Sequence, residues 1–252
     1  MVAVRNGLSA SLAALVVLLT VLEASPGIGL VGWATGLACA VVLSVAAAQS
    51  AANGGVESFG PADLVTLARA TLSCGVAALV AGSFTGQAAT GTLVAMATVA
   101  LVLDAVDGRV ARATGTVSGF GARLDGEADA FLMLVLSVYV AHSAGAAVLA
   151  IGVLAIGAVR YLFAVAGWVL PWMRAQLPPR YWRKVVTATA GIALTFAAAD
   201  IAAPEATYAA LAVAFTMLAE SFGRDVWWLW LHRPSETAEA SPGARPVRLS
   251  LR

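Results

Sequence analysis

Long apolar stretches recur along the whole chain, and most residues lie within them. The first two run from about Leu8 to Leu22 and from about Ile28 to Ala48, and six more follow after residue 60. Stretches of about 20 apolar residues can cross the hydrocarbon core of a bilayer as α-helices. Of all residues, 60% are hydrophobic and only 12% are charged, and the mean hydropathy is +0.87. The sequence therefore predicts an all-α integral membrane protein with eight helices.

Polar segments divide this chain into three parts. A glycine-rich polar break at residues 49–60 separates the first two apolar stretches from the other six. We predict an N-terminal transmembrane hairpin and linker at residues 1–60, followed by a six-helix transmembrane core at residues 61–231. Residues 232–252 contain three prolines and no apolar run, so we expect a disordered cytoplasmic tail.

Acidic residues concentrate in one segment of this apolar chain. Residues 103–130 hold five of the 14 acidic residues, with Asp104 and Asp107 closing one apolar stretch and Asp125 and Asp129 opening the next. Residues three or four apart lie on the same face of a helix, so two helix ends could direct four carboxylates into one space. Such a cluster repels itself unless it is protonated or binds cations, and carboxylate oxygens suit Mg²⁺ or Mn²⁺. We therefore predict that these four aspartates are metal ligands.

The spacing of the acidic residues resembles the signature of the CDP-alcohol phosphotransferase (CDP-alcohol phosphatidyltransferase) family, D-x2-D-G-x2-A-R-x8-G-x3-D-x3-D. All of its fixed positions match, and they are Asp104, Asp107, Gly108, Ala111, Arg112, Gly121, Asp125 and Asp129. The resemblance implies a six-helix membrane enzyme, usually a homodimer, that moves the phosphatidyl group of CDP-diacylglycerol to a hydroxyl acceptor and releases CMP. It also implies that the four aspartates hold two Mg²⁺ or Mn²⁺ ions and that Asp129 is the catalytic base. Glu127 lies off the helical face of the aspartates and is left out of the predicted site.

The resemblance extends to the start of the third apolar stretch. There Thr66 and Arg69 match the family pattern, and Asp63 stands where the family usually has asparagine. Asp63 could cap the helix or contact the nucleotide, and the sequence leaves both open. The residues that the resemblance assigns to binding the CDP-lipid are Gly108, Ala111, Arg112, Gly121, Thr66 and Arg69.

A group of basic residues around the cytoplasmic end of the fourth and fifth core helices is the candidate for binding the acceptor. A phosphate on the acceptor could be held by such a group, which favours glycerol 3-phosphate or inositol phosphate over serine or free inositol. The same residues could instead anchor the protein at the membrane surface. The candidates for binding an acceptor phosphate are Arg160, Arg180, Arg183 and Lys184.

Loop charges predict the orientation of the chain in the membrane. The segments after Asp107, around residues 174–184 and after Leu231 carry nearly all of the loop arginines, and the turns on the opposite side carry none. By the positive-inside rule, we expect a multi-pass protein of the plasma membrane whose site faces the cytoplasm. The net charge of +1 gives no overall basic field, so no nucleic-acid partner is predicted.

Other functions remain open on the sequence alone. Acidic residues on membrane helices can line an ion path, so a cation transporter is a second candidate. An enzyme of isoprenoid diphosphates would also use aspartate-bound Mg²⁺, although the interval between the two aspartate pairs argues against it. The predicted chemistry could also act on a non-lipid CDP-alcohol.

Overall fold

All regular secondary structure in the described part of the chain is helical. The computed structural model describes residues 2–54, 60–86, 88–114, 119–175, 177–178 and 180–233, without the side chains of residues 2–5, 53–54, 61–62, 105, 107–114, 119–120 and 122. Its helices are α1 (Val2–Ala24), α2 (Gly29–Gly54), α3 (Pro61–Ser83), α4 (Thr90–Thr114), α5 (Gly119–Ser143), α6 (Ala147–Val169), α7 (Tyr181–Ala199) and α8 (Pro204–Leu231), with a short 3₁₀ helix at Pro171–Arg174. The predicted all-α class is confirmed, and the described residues form eight α-helices, as the sequence predicts.

The turn between α1 and α2 is formed by residues suited to it. Gly27 and Gly29 have φ angles of 75° and 61°, a left-handed region that glycine adopts without a Cβ clash. The Glu23 carboxylate accepts hydrogen bonds from the backbone amides of Ile28 at 3.2 Å and Gly29 at 3.1 Å. These amides open α2 and have no carbonyl partner inside the helix, so Glu23 stabilises its start.

Helix α3 is the central element of the fold. It packs against α1, α2, α4 and α5. Of the residues in its apolar span, 72% are buried, compared with 17 to 22% in the other candidate membrane spans. Ser11 on α1 and Thr71 on α3 share a hydrogen bond of 2.9 Å between their hydroxyl oxygens. The N-terminal hairpin and the helices that carry the acidic residues therefore meet on the same helix.

Five of the described helices are long and apolar enough to cross a membrane. Helix α4 has a shorter apolar part, Thr90–Asp104, because the charged segment begins there. The candidate spans are Asn6–Ala24, Gly29–Ala52, Asp63–Ser83, Ala147–Val169 and Pro204–Leu231. The chain has the apolar helices of a membrane protein, and the number of six membrane-crossing helices in the core stays a prediction.

Two helices extend further than their apolar stretches indicated. Helix α2 continues to Gly54, so the first six residues of the polar segment at 49–60 are helical. Helix α4 continues to Thr114, which places Arg109 and Arg112 on a helix rather than in a connection. Each extension contains two alanines, with one glutamine in α2 and two arginines in α4, and these residue types are strong helix formers. Hydropathy predicts where a helix leaves the apolar layer, but it does not predict where the backbone hydrogen bonding ends.

The packing of α5 against α6 requires a residue without a side chain at position 157. A Cβ atom on Gly157 would lie 2.1 Å from Oγ of Ser137 and 2.8 Å from Cα of Leu134. Neither atom can move away easily, because Ser137 is fully buried and Leu134 is approached at its backbone. The two helices can therefore approach this closely only because of the glycine.

We expect Gly157→Ala to destabilise the protein by about 1–3 kcal/mol, the usual cost of overpacking a well-packed contact. The melting temperature of the detergent-solubilised protein measures this effect. Gly152→Ala on the same helix is the matched control, because a Cβ atom there has no neighbour within 4 Å. Equal melting temperatures for the two variants would contradict the close packing of α5 and α6.

Candidate active site

Three of the four predicted metal ligands meet where α3, α4 and α5 pack together. Asp104 lies on α4, ten residues before its end, and Asp125 and Asp129 lie in the second and third turns of α5. One carboxylate oxygen from each lies within 4.8 Å of the others. The spacing of four residues aligns Asp125 with Asp129 on α5, and the packing of α3 against α4 and α5 brings Asp104 to them. We call these three residues the acid cluster. The side chain of Asp107 is outside the described residues, so its place in the site stays a prediction.

Arg69 of α3 occupies the centre of the acid cluster. Its Nη1 atom lies 3.0 Å from Oδ1 of Asp104 and pairs closely with Asp125, while Nη2 pairs closely with Asp129. Its Nε atom donates to the backbone carbonyl of Ala100 on α4 at 3.2 Å. The side chain is only 2% exposed, so one buried guanidinium connects all three helices of the site.

The charges of the acid cluster favour a bound cation. Three ionised carboxylates and one guanidinium sum to a formal charge of −2. The carboxylates are only partly exposed, with 35%, 37% and 21% of the side chains of Asp104, Asp125 and Asp129 accessible to solvent. Partly desolvated like charges are costly unless they are neutralised, and oxygen ligands suit Mg²⁺ and Mn²⁺. The residues present therefore fit a divalent metal ion.

Glu127 stays outside the acid cluster and has another partner. Its Oε1 atom lies 2.6 Å from Nη2 of Arg160 on α6, and both side chains are nearly half exposed. Arg160 is one of the residues predicted to bind an acceptor phosphate, and here it pairs with a carboxylate. Sequence reasoning missed this pair because its members lie on different helices, 33 positions apart, with no local pattern.

The start of α7 carries the other candidates for binding an acceptor phosphate. Arg183 pairs with the buried Asp225 of α8, with 2.9 Å between Nε and Oδ2, and donates from Nη2 to the Pro178 carbonyl at 3.0 Å. Arg180 and Lys184 are exposed and lie four positions apart. Sequence reasoning did not single out Asp225, because a lone aspartate in an apolar helix carries no spacing signal.

The remaining predicted residues lie close to the cluster in the chain. Thr66 is buried on α3 one turn before Arg69, and Gly121 lies in the first turn of α5. Asp63 accepts a hydrogen bond from the Gly60 amide at 2.8 Å and so stabilises the start of α3. This contact supports the capping role over a nucleotide contact. Gly108, Ala111 and Arg112 belong to α4, but the structure describes only their backbone.

A comparison with known families agrees with this geometry. The family model described as CDP-alcohol phosphatidyltransferase matches residues 59–218, which include the acid cluster and exclude the N-terminal hairpin. Searches of curated proteins and of solved structures returned no match. The family model covers well over half of the chain and starts two residues before α3. The chain therefore belongs to the CDP-alcohol phosphatidyltransferase family, whose members transfer a substituted phosphate group from a CDP-alcohol to an alcohol acceptor.

Proposed function

We propose that the protein transfers the phosphatidyl group of CDP-diacylglycerol to the hydroxyl group of a small acceptor and releases CMP. The observation that carries this proposal is the convergence of Asp104, Asp125 and Asp129 inside the region that matches the family. Ionisable groups on apolar helices are costly unless they have a function, which argues against a passive role for this cluster.

Four aspartates would hold two Mg²⁺ or Mn²⁺ ions in this proposal: Asp104, Asp107, Asp125 and Asp129. When bound, the ions would neutralise the diphosphate and the charge that develops on the leaving CMP. Family members are generally metal-dependent, which supports the assignment.

Several residues would bind the CDP-lipid rather than the metal. Arg112 would hold a phosphate through its planar guanidinium, which can donate two parallel hydrogen bonds. Gly108, Ala111 and Gly121 carry little or no side chain, so the nucleotide and the facing helix could come close. Thr66 lies on the same face of α3 as Arg69, toward the site.

Asp129 is the proposed general base. It would accept the proton of the acceptor hydroxyl, whose oxygen then attacks the phosphorus that carries the lipid. The bond between this phosphorus and the oxygen of CMP breaks, and CMP leaves with that oxygen. A general base has to lie within hydrogen-bond reach of the proton that it removes. The Asp129 side chain is 21% exposed, so an acceptor hydroxyl can reach it.

The place of the acid cluster suits a lipid substrate. The cluster lies at the end of the apolar part of α4, Thr90–Asp104, and in the second and third turns of α5, so the diacyl tails could stay in the bilayer while the cytidine lies in interfacial water. The arginine-rich segments on this side support a site that faces the cytoplasm. We propose the plasma membrane as the location of the protein. We also propose a homodimer, which the family resemblance implies.

The acceptor is proposed to be a phosphorylated polyol such as glycerol 3-phosphate or inositol phosphate. Two of the candidates for binding its phosphate, Arg160 and Arg183, would have to leave carboxylate partners. Arg180 and Lys184 are exposed at the start of α7 and are the first to test.

We expect Arg180→Ala and Lys184→Ala each to raise the KM for the phosphorylated acceptor by about tenfold, since each loses a charge-assisted hydrogen bond. The KM for CDP-diacylglycerol should stay unchanged. Arg224→Ala is the matched control, because Arg224 is an exposed arginine of α8 that pairs with Glu220. If the KM for the acceptor stays at the wild-type value in all three variants, the basic residues anchor the protein to the membrane instead.

The proposed function is tested by measuring CMP release from CDP-diacylglycerol in micelles with Mg²⁺. Glycerol 3-phosphate, inositol 3-phosphate, myo-inositol and serine are supplied in turn, with EDTA as a control. CMP that depends on an acceptor and disappears with EDTA would establish the reaction and name the acceptor. No CMP from CDP-diacylglycerol with any of these acceptors would overturn the proposal, and CMP from a non-lipid CDP-alcohol would then identify the other class of donor. Mn²⁺ uptake into proteoliposomes would then test the cation transporter.

A further inference from the structure

Arg69 has no side-chain nitrogen left over for a substrate. Its Nε atom is bonded to Ala100 and its two Nη atoms to the three aspartates of the acid cluster. With 2% of its side chain exposed, it could reach a substrate phosphate only by giving up one of these bonds. The role in binding the CDP-lipid that the family resemblance implies for Arg69 therefore competes with contacts that the protein already makes.

The partners of Arg69 are the same carboxylates that would hold a metal ion. A guanidinium within hydrogen-bond distance of these oxygens repels a divalent cation that approaches them, because both are positive and little water separates them. Conversely, three carboxylates on packed helices would be unpaired without either cation, and an uncompensated charge of this kind is strongly destabilising. While its carboxylates are ionised, the acid cluster thus needs one cation or the other to be stable.

We propose that Arg69 is a resident counter-cation of the acid cluster: it pairs with the aspartates in the metal-free protein and gives up at least one of them when a divalent ion binds. The bond from Nε to the Ala100 carbonyl does not involve the aspartates, so it can keep the guanidinium close while the ion is present. When the ion leaves, the pairs form again and the cluster stays folded. This inference rests on the metal site of the proposed function.

Thermal unfolding of the full-length protein in detergent, with EDTA or with Mn²⁺, tests the inference without measuring activity. An ion that binds only the folded state raises the melting temperature by an amount that grows with its affinity. Arg69→Gln removes the competing charge and leaves a shorter, neutral polar side chain. We expect its melting temperature in EDTA to fall below that of the wild type. Mn²⁺ should bind about tenfold more tightly, so the rise in its melting temperature should exceed that of the wild type by about 4 °C.

Two further variants complete the comparison. Arg69→Lys keeps the charge but lacks the fork that engages Asp125 and Asp129 with separate nitrogens, so its Mn²⁺-induced rise should lie between those of the wild type and Arg69→Gln. If Arg69→Gln does not fold, the test relies on Arg69→Lys. A Mn²⁺-induced rise in its melting temperature that exceeds the rise of the wild type would support the counter-cation role. Arg160→Gln is the matched control, since Arg160 also pairs with a carboxylate of α5 but outside the acid cluster, and its rise should equal that of the wild type.

The outcomes separate this inference from the proposed function. Suppose that Mn²⁺ raises the melting temperature of the wild type and raises that of both Arg69 variants by the same amount or less. This result would overturn the counter-cation role alone. An equal rise would show that Arg69 only stabilises the fold, and a smaller one that it organises the ligands. No rise in the wild type would overturn the metal site itself, and this inference with it.

Discussion

Asp129→Asn is expected to lower CMP release by about a thousandfold or more while leaving a folded protein. The substitution removes the proposed general base, which alone contributes about 10²–10⁴-fold to a reaction rate, and it also removes a charged metal ligand. The protein should still fold, because the asparagine oxygen can accept a hydrogen bond from Nη2 of Arg69, which keeps its pairs with Asp104 and Asp125. The turnover rate at saturating substrate measures the loss, and the melting temperature reports the fold.

Glu127→Gln is the matched control for this prediction. It is the same kind of change, two residues away on the same helix, but its carboxylate pairs with Arg160 outside the acid cluster. A half-exposed ion pair contributes only about 0–1 kcal/mol, so both stability and CMP release should stay close to those of the wild type. Raising the pH should not restore activity to Asp129→Asn, because an amide cannot act as a base. Turnover by Asp129→Asn near the wild-type rate would remove the base assignment.

The acid cluster was predictable from sequence because its spacing carries two separate signals. The intervals of three and four residues place each aspartate pair on one helix face, and the family signature relates the two pairs. The structure confirms the proximity for Asp104, Asp125 and Asp129. The position of Arg69 at their centre was not predictable, since it follows from the packing of α3 against α4 and α5. The family pattern names this arginine but does not say what it contacts.

The other ion pairs show the same limit. Arg160 with Glu127 and Arg183 with Asp225 each join two helices, and no periodicity relates residues 33 or 42 positions apart. Sequence reasoning therefore assigned both arginines to a substrate, although each has a carboxylate of the protein beside it. A charged residue in an apolar helix indicates that a partner exists, and only the packing shows which one it is.

Deletion of residues 1–54 is expected to abolish both folding and activity, even though the family match begins only at residue 59. Lipid tails are as apolar as the surface of α3 that the hairpin covers. If lipid could cover this surface equally well, the hairpin would be dispensable. Its contact with α3 is more specific than that. A Cβ atom on Gly32 of α2 would lie 2.8 Å from the Ala78 carbonyl of α3, so the two backbones touch closely, and the hydrogen bond between Ser11 and Thr71 adds a polar contact.

Loss of these contacts should displace α3 and, with it, the active-site residue that α3 carries. This helix carries Arg69, and a displacement of about 1 Å at a reacting centre costs about a hundredfold in rate. We therefore expect the shortened chain to elute as aggregate in size-exclusion chromatography and to release CMP at less than about a hundredth of the wild-type rate. A chain that ends at Arg233 is the control, because it lacks only the predicted tail and should keep both properties. If the chain without the hairpin is monodisperse and active, the first two helices are an addition to a self-sufficient core, and the packing of α3 by lipid is enough to hold Arg69 in place.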